Sequence, residues 1–211
     1  GRPSEIFQTK AVLEGYAARL SVDFLTPQDI EDLRRCNEKL RRALEKNNMK
    51  DYSRLNKEFH LRIYLNMPQR ELYNMIQDLW KKYSITTTVF SLAPARMEES
   101  IEEHEEIIRL LVAKDYEQVE KLIVVQQSNH YVQQAQKSLS SGDVEGALKA
   151  VEEGIRIYPE NRTLIRIRGM LRRLRNAPLL FETMRNAKDS SAMAAALAAA
   201  TTGLSGISTV Q

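Results

Sequence analysis

The sequence predicts an all-α chain. Three observations carry this. Only 8 Gly and 6 Pro punctuate 211 residues. Strand-like alternation of apolar and polar residues is nearly absent. Apolar residues instead recur at three- and four-residue spacing behind recognisable helix starts. A first helix follows Ser4, with Ile6, Leu13, Ala17 and Leu20 on one face. Thr26-Pro27-Gln28-Asp29 opens a second: a capping hydroxyl, Pro in the first turn, an acid three residues after the cap. It runs to Glu45 and stops at Asn47-Asn48. Asp51 caps a third, with Tyr52, Leu55, Phe59 and Ile63 inward, ending before Pro68. Residues 69–83 form a fourth, with Leu72, Met75, Ile76, Leu79, Trp80 and Tyr83 as its apolar set. A connection over 84–95 contains Pro94. A fifth helix, 96–113, carries Met97, Ile101, Ile107, Ile108 and Leu111. Asp115-Tyr116-Glu117-Gln118 is a second capping box and opens a long helix that Ser140-Ser141-Gly142 breaks. Residues 4–127 thus read as an antiparallel bundle of six to seven helices with short loops.

Composition narrows the function classes. Hydrophobic residues make up 43% and charged residues 28%, as in ordinary globular proteins. A net charge of +3 gives no strong electrostatic grip on nucleic acid or on an anionic membrane. The one cysteine, Cys36, has no Cys or His nearby at metal-ligand spacing, reads as a packing residue, and fits a reducing, cytoplasmic setting. GRPSEIF has neither an initiator Met nor a signal-peptide pattern, so the chain reads as starting internally, with a segment expected upstream. No catalytic set is visible: no Gly-rich phosphate loop, no Glu-x-x-His pair, no nucleophile beside a base. The chain is not expected to be an enzyme. Charge runs such as EESIEEHEE and LRRCNEKLRR read as solvated helix faces.

Three histidines (60, 104 and 130) offer the remaining chemistry. Asn56 and His60 lie four apart on one helix face, at the edge of the stripe formed by Leu55, Phe59 and Ile63. His104 falls on the inner stripe 101, 104, 108, 111. Two inward histidines on different helices can meet in a bundle's centre, where bundles build ligand and metal sites. The alternative is a pair of hydrogen-bonded core histidines.

Four segments in order then resemble a family: EIFQTKAVLEGYAARLS, TPQDIEDL, NKEFHLRIYLNMPQRELYNMIQDLW and RMEESIEEHEEIIRLLVAKDYEQVEKLI. Over residues 5–127 the chain is similar to the FCD effector-binding domain of GntR-type transcription regulators of the FadR subfamily. The resemblance implies a helical bundle that dimerises, a small carboxylate effector, and a divalent metal, often zinc or nickel, held by an Asp and three His. His60 and His104 match two of those ligands. Asn56 stands where the family has Asp, and Gln126 where it has the last His; His130 lies one turn further on. Neutral amide oxygens are weaker ligands than carboxylate or imidazole, so metal is expected to be weakly bound or absent. In a metal-free pocket Asn56, His60, His104 and Gln126 become hydrogen-bonding groups for an organic ligand. Arg96 matches a family arginine that could hold a carboxylate bidentately; the alternative is a solvated residue at the helix start. The resemblance also implies a winged-helix DNA reader ahead of the bundle, absent from this chain. DNA would be reached only through that module.

Residues 128–175 change rhythm. HYVQQAQKSLSSGDVEGALKAVEEGIRIYPENRTLIRIRG resembles a tetratricopeptide repeat, with Tyr131 at its large position, Ala135, Ala147, Val151 and Gly154 at packing positions and Pro159 at its end. Gly169 falls at the small position of a next unit. A simple helical hairpin is the alternative, since one repeat cannot bury a solenoid core by itself. Residues 176–211 form an Ala/Ser/Thr-rich tail without the apolar content of a membrane span. Two functions follow. The first is a ligand-sensing regulatory domain. Its rival is a protein-interaction adaptor with a degenerate bundle and a repeat-like working surface.

Overall fold

A computed structural model describes residues 3–82 and 96–177, with Leu179 and Glu182 besides. Among them every regular element is helical: α1 Pro3–Ser21, a 3-10 turn Val22–Phe24, α2 Pro27–Glu45, α3 Met49–Tyr64, α4 Arg70–Lys82, α5 Arg96–Val112, α6 Tyr116–Gln126, α7 Asn129–Ser140, α8 Val144–Ile157 and α9 Arg162–Asn176. Two compact units divide between His130 and Tyr131. The expected connection over 84–95, Tyr83 and nearly all of the tail lie outside the described residues.

In the first unit α1 packs on α6, α2 on α3 and α5, and α5 on α6. The α2 start carries the expected reciprocal cap, Thr26 and Asp29 each binding the other's backbone. Tyr52, Leu55, Phe59 and Ile63 of α3 are buried, as are Ile101, His104, Ile108 and Leu111 of α5. Asn47 (φ 50°) and Lys114 (φ 55°) end α2 and α5 in left-handed backbone. Amides one residue later return to carbonyls five back: Asn48 to Ala43, Asp115 to Leu110.

Four expectations need correction. Of the expected α1 stripe Ile6, Leu13, Ala17 and Leu20, only Ala17 is buried; the other three are half-buried, and Phe7, Lys10, Ala11, Glu14 and Ala18 complete the inner face. Small residues let α1 approach α6 closely, and that contact overrides simple hydrophobicity. The cap of α3 is Asn48, whose side chain accepts from the Asp51 amide; Asp51 already lies inside the helix. Met75 of α4 is 54% exposed, because Tyr73, Ile76 and Trp80 take the inward face. The long helix expected to run from Asp115 to Ser140 is broken at Gln127 and Ser128. Their amides bond three residues back, to Val124 and Val125. Gln127 is buried there because Lys10 Nζ donates to its Oε1 at 2.8 Å. The break involves no Gly or Pro and coincides with this tertiary hydrogen bond.

In the second unit α8 packs on α9. Tyr131, Ala135, Ala147 and Val151 are buried. A Cβ on Gly154 would lie 2.8 Å from both Leu164 Cδ1 and Tyr131 Cγ, so glycine sets this helix approach. Gly169 is different. A Cβ there would meet only Arg173 Nη2 at 3.8 Å, so its smallness serves no close helix contact among the described residues.

Gly15 tests the α1–α6 contact. A Cβ at Gly15 would stand 2.6 Å from Val124 Cγ2 and 3.3 Å from the Glu120 carbonyl. Gly15→Ala is expected to lower the melting temperature and cost about 1–3 kcal/mol, despite alanine's better helix propensity. Unchanged stability by thermal melting would show that α1 stands further from α6 than described.

Candidate functional site

The centre of the first unit is polar. His60 of α3 and His104 of α5 face each other edge to face, ring centroids 5.2 Å apart. Phe59 stacks on His104 at 3.9 Å, and Trp80 of α4 lies 5.7 Å from His60. Both imidazoles are fully enclosed. Burial pulls the His60 pKa down to about 4 and the His104 pKa well below its ordinary value, with the His60 and Arg96 charges adding to the latter. Both rings are therefore neutral near pH 7.

Hydrogen bonding settles the His104 tautomer. Asn37 Nδ2 of α2 donates to the Ile101 carbonyl at 3.1 Å. This turns Asn37 Oδ1 toward His104 Nδ1, also 3.1 Å away. An amide oxygen only accepts, so Nδ1 carries the proton and Nε2 holds a lone pair. That Nε2 is buried and has no hydrogen-bond partner in the protein; His60 Nδ1 is in the same condition.

Two ion pairs flank the histidines. On one side Lys10 and Glu14, 1% and 0% exposed, pair along α1. Lys10 Nζ also sits 3.7 Å above the Trp80 ring and donates to Gln127. An ion pair, a hydrogen bond and a ring face thus surround the ammonium, while burial lowers its pKa. Tyr64 Oη donates to Glu14 Oε2 at 3.0 Å. On the other side Arg96 Nη2 meets Glu103 Oε2 at 2.7 Å, and Arg96 Nε donates to Asn129 Oδ1 at 2.9 Å. Gln126 Nε2 donates to the same Glu103 oxygen at 2.8 Å.

The residues singled out from sequence therefore fall as follows. His60 and His104 meet. Arg96 is 3% exposed rather than solvated, and it shares Glu103 with Gln126. Asn56 lies one turn before His60. Asn56 Oδ1, Gln126 Oε1 and Arg96 Nη1 are buried without a hydrogen-bond partner, like the two imidazole nitrogens. His130 stacks on Phe7 at 3.9 Å, and burial takes its pKa to about 4. Lys10, Glu14, Asn37, Tyr64 and Trp80 were not singled out. Lys10 and Glu14 are four apart, a spacing that ordinarily marks a solvated helix face, so no signal in the sequence pointed to them.

A divalent metal fits this donor set poorly. Among the described residues no three His, Cys, Asp or Glu stand together at metal-holding distance. Asn56, His60, His104 and Gln126 are all neutral donors, and the nearby carboxylates, Glu14 and Glu103, are already committed to Lys10 and Arg96. A dication would enter without compensating charge.

Residues 5–126 match the family model for the FCD domain. The chain belongs to the FCD domain family. Over 115 residues it is 35% identical to the Escherichia coli (strain K12) protein named HTH-type transcriptional regulator McbR, covering 54% of this chain and 52% of that one. It thus spans about half the length of this curated relative. The solved structure of E. coli McbR/YncC matches with a TM-score of 0.55 and 32% identity, over 64% of this chain and 70% of that chain. The FCD match ends at the α6 terminus, so α8 and α9 lie beyond it. Among the described residues no helix is long and apolar enough to cross a membrane.

Two measurements test this interior. His60 is held below its ordinary 6.5, so the unfolded chain binds more protons between pH 6.5 and 4. Stability is expected to fall as pH drops through that window and to level off near 4, by roughly 3 kcal/mol from His60 alone. Melting temperature against pH reads it, and His60→Gln flattens that part of the curve. Separately, Lys10→Met strands the Glu14 carboxylate in the core and is expected to cost about 3–5 kcal/mol. In denaturant melts, the double variant Lys10→Met, Glu14→Leu recovers much of that loss. A single variant as stable as the wild type would mean that the Lys10–Glu14 pair does not stabilise the core.

Proposed function

We propose that residues 5–126 are the effector-sensing part of a ligand-responsive GntR-type regulator, working beside a DNA-reading module and as a homodimer in the cytoplasm. One observation carries the sensor reading. Five buried polar atoms of His60, His104, Asn56, Gln126 and Arg96, drawn from three helices, have no partner in the protein. Buried polar groups are ordinarily satisfied, and a cluster of unsatisfied ones is what a site prepared for a small polar molecule looks like. Comparison supports the regulatory half: the similar protein McbR is named an HTH-type transcriptional regulator.

The mechanism is a population shift. An effector that binds one arrangement of α3, α5 and α6 better than another favours that arrangement, and the attached reader feels the change. The effector interacts with the chain's own side chains, without a tightly held metal. A carboxylate, the class that the family resemblance implies, would take Arg96 Nη1 as its donor and would share the guanidinium with Glu103.

The test is thermal melting of the purified chain with a library of sugars, small carboxylates and amino acids, with and without zinc or nickel. At least one class is expected to raise the melting temperature. The His60→Ala, His104→Ala double variant is expected to stay helical and lose that response. Elemental analysis is expected to find substoichiometric metal. If no compound shifts the melt, the sensor reading falls. Stoichiometric metal that disappears in the double variant would overturn the metal-free mechanism.

A further inference from the structure

The charges inside the first unit are already balanced, and this bears on what can enter. Resting on the sensor reading above, we infer that the site takes a small uncharged polyhydroxylated molecule, a polyol or neutral sugar, rather than a carboxylate. Two cations face the interior, and each has its own carboxylate: Lys10 has Glu14, and Arg96 has Glu103. Lys10 is further occupied by Gln127 and the Trp80 ring, and Arg96 by Asn129. Among the described residues neither of these buried cations is left unpaired to receive an anion. An entering carboxylate would give up its hydration and then compete with Glu103 for one guanidinium.

The unsatisfied atoms describe the occupant more closely. His104 Nε2 is an acceptor, by the tautomer that Asn37 imposes. Gln126 Oε1 is an acceptor too, because its amide nitrogen already faces Glu103. The free donors are Arg96 Nη1 and Trp80 Nε1. A carboxylate satisfies only donors and an ammonium only acceptors. A hydroxyl does both and brings no charge, so several hydroxyls on one small frame answer a mixed set. Asn56 and Gln126 are amides and bring no charge that an anion or a cation could meet. A neutral ligand is consistent with that set.

The experiment uses matched pairs: a neutral hexose or hexitol and the hexonate or hexuronate that differs from it only by a carboxylate. Alanine is the zwitterionic control. Calorimetry on the intact, metal-stripped chain at pH 7 reads each affinity. The neutral member is expected to bind roughly tenfold or more tightly than its carboxylate twin. Glu103→Gln frees the Arg96 charge and is expected to swing that ratio toward the carboxylate by roughly tenfold. Because the ratio is taken within one protein, partial damage to the fold cancels; if Glu103→Gln does not fold, the wild-type ratio decides. A carboxylate or zwitterion that binds more tightly than the neutral member, or binding that appears only with added zinc, overturns the neutral class and leaves the sensor reading standing. If no compound of any charge binds, with or without zinc, both readings fall.

Discussion

A lysine with no solvent around it organises the first unit. Lys10 Nζ is tied to Glu14 beside it, to Gln127 across the bundle and to the face of Trp80. These contacts join α1, α4 and the end of α6 around one charge. A buried ammonium is tolerable only when every N–H is met, so each of these groups is constrained by the others. Tyr64 follows, because the second Glu14 oxygen needs a donor. The break between α6 and α7 coincides with the inward turn of Gln127 to meet Lys10.

This polar centre explains which parts of the structure could be read ahead of it. The stripes of α3 and α5 were legible because apolar residues mark their inner faces and His104 falls on the same spacing. The order of family segments placed His60, His104, Gln126 and Arg96 without coordinates. The inner face of α1 was not legible. A Lys and a Glu four apart normally mark a solvated helix face, and nothing in a single sequence says that Ala11, Gly15 and Ala18 bring that face against α6. The end of α6 was hidden for the same reason, since a helix end that coincides with a contact to a distant lysine carries no local signal. Arg96 is a mixed case: its position was legible, but its Glu103 partner and its burial were not.

The two departures from the family pattern, Asn56 and Gln126, acquire a common sense in this setting. Each is neutral, and each sits in an interior where every nearby charge already has its opposite. Restoring the family's Asp at position 56 alone would add an anion with no cation to meet it. These amides and the ion pairs around them are therefore a single electrostatic arrangement, and changing one without the other is unfavourable.

Gln126 and Gln127 are neighbours that face different ion pairs. Gln126 is held by the Glu103 of α5, Gln127 by the Lys10 of α1. Anything that pulls on Arg96 or on Trp80 thus arrives in the same helical turn, and the chain there is closed only by three-residue hydrogen bonds of 3.1 to 3.3 Å. Such a turn behaves as a mechanical adder. Two tugs together act on adjacent peptide units at the end of α6. The turn that closes α6 is then also the place where the two charge clusters meet.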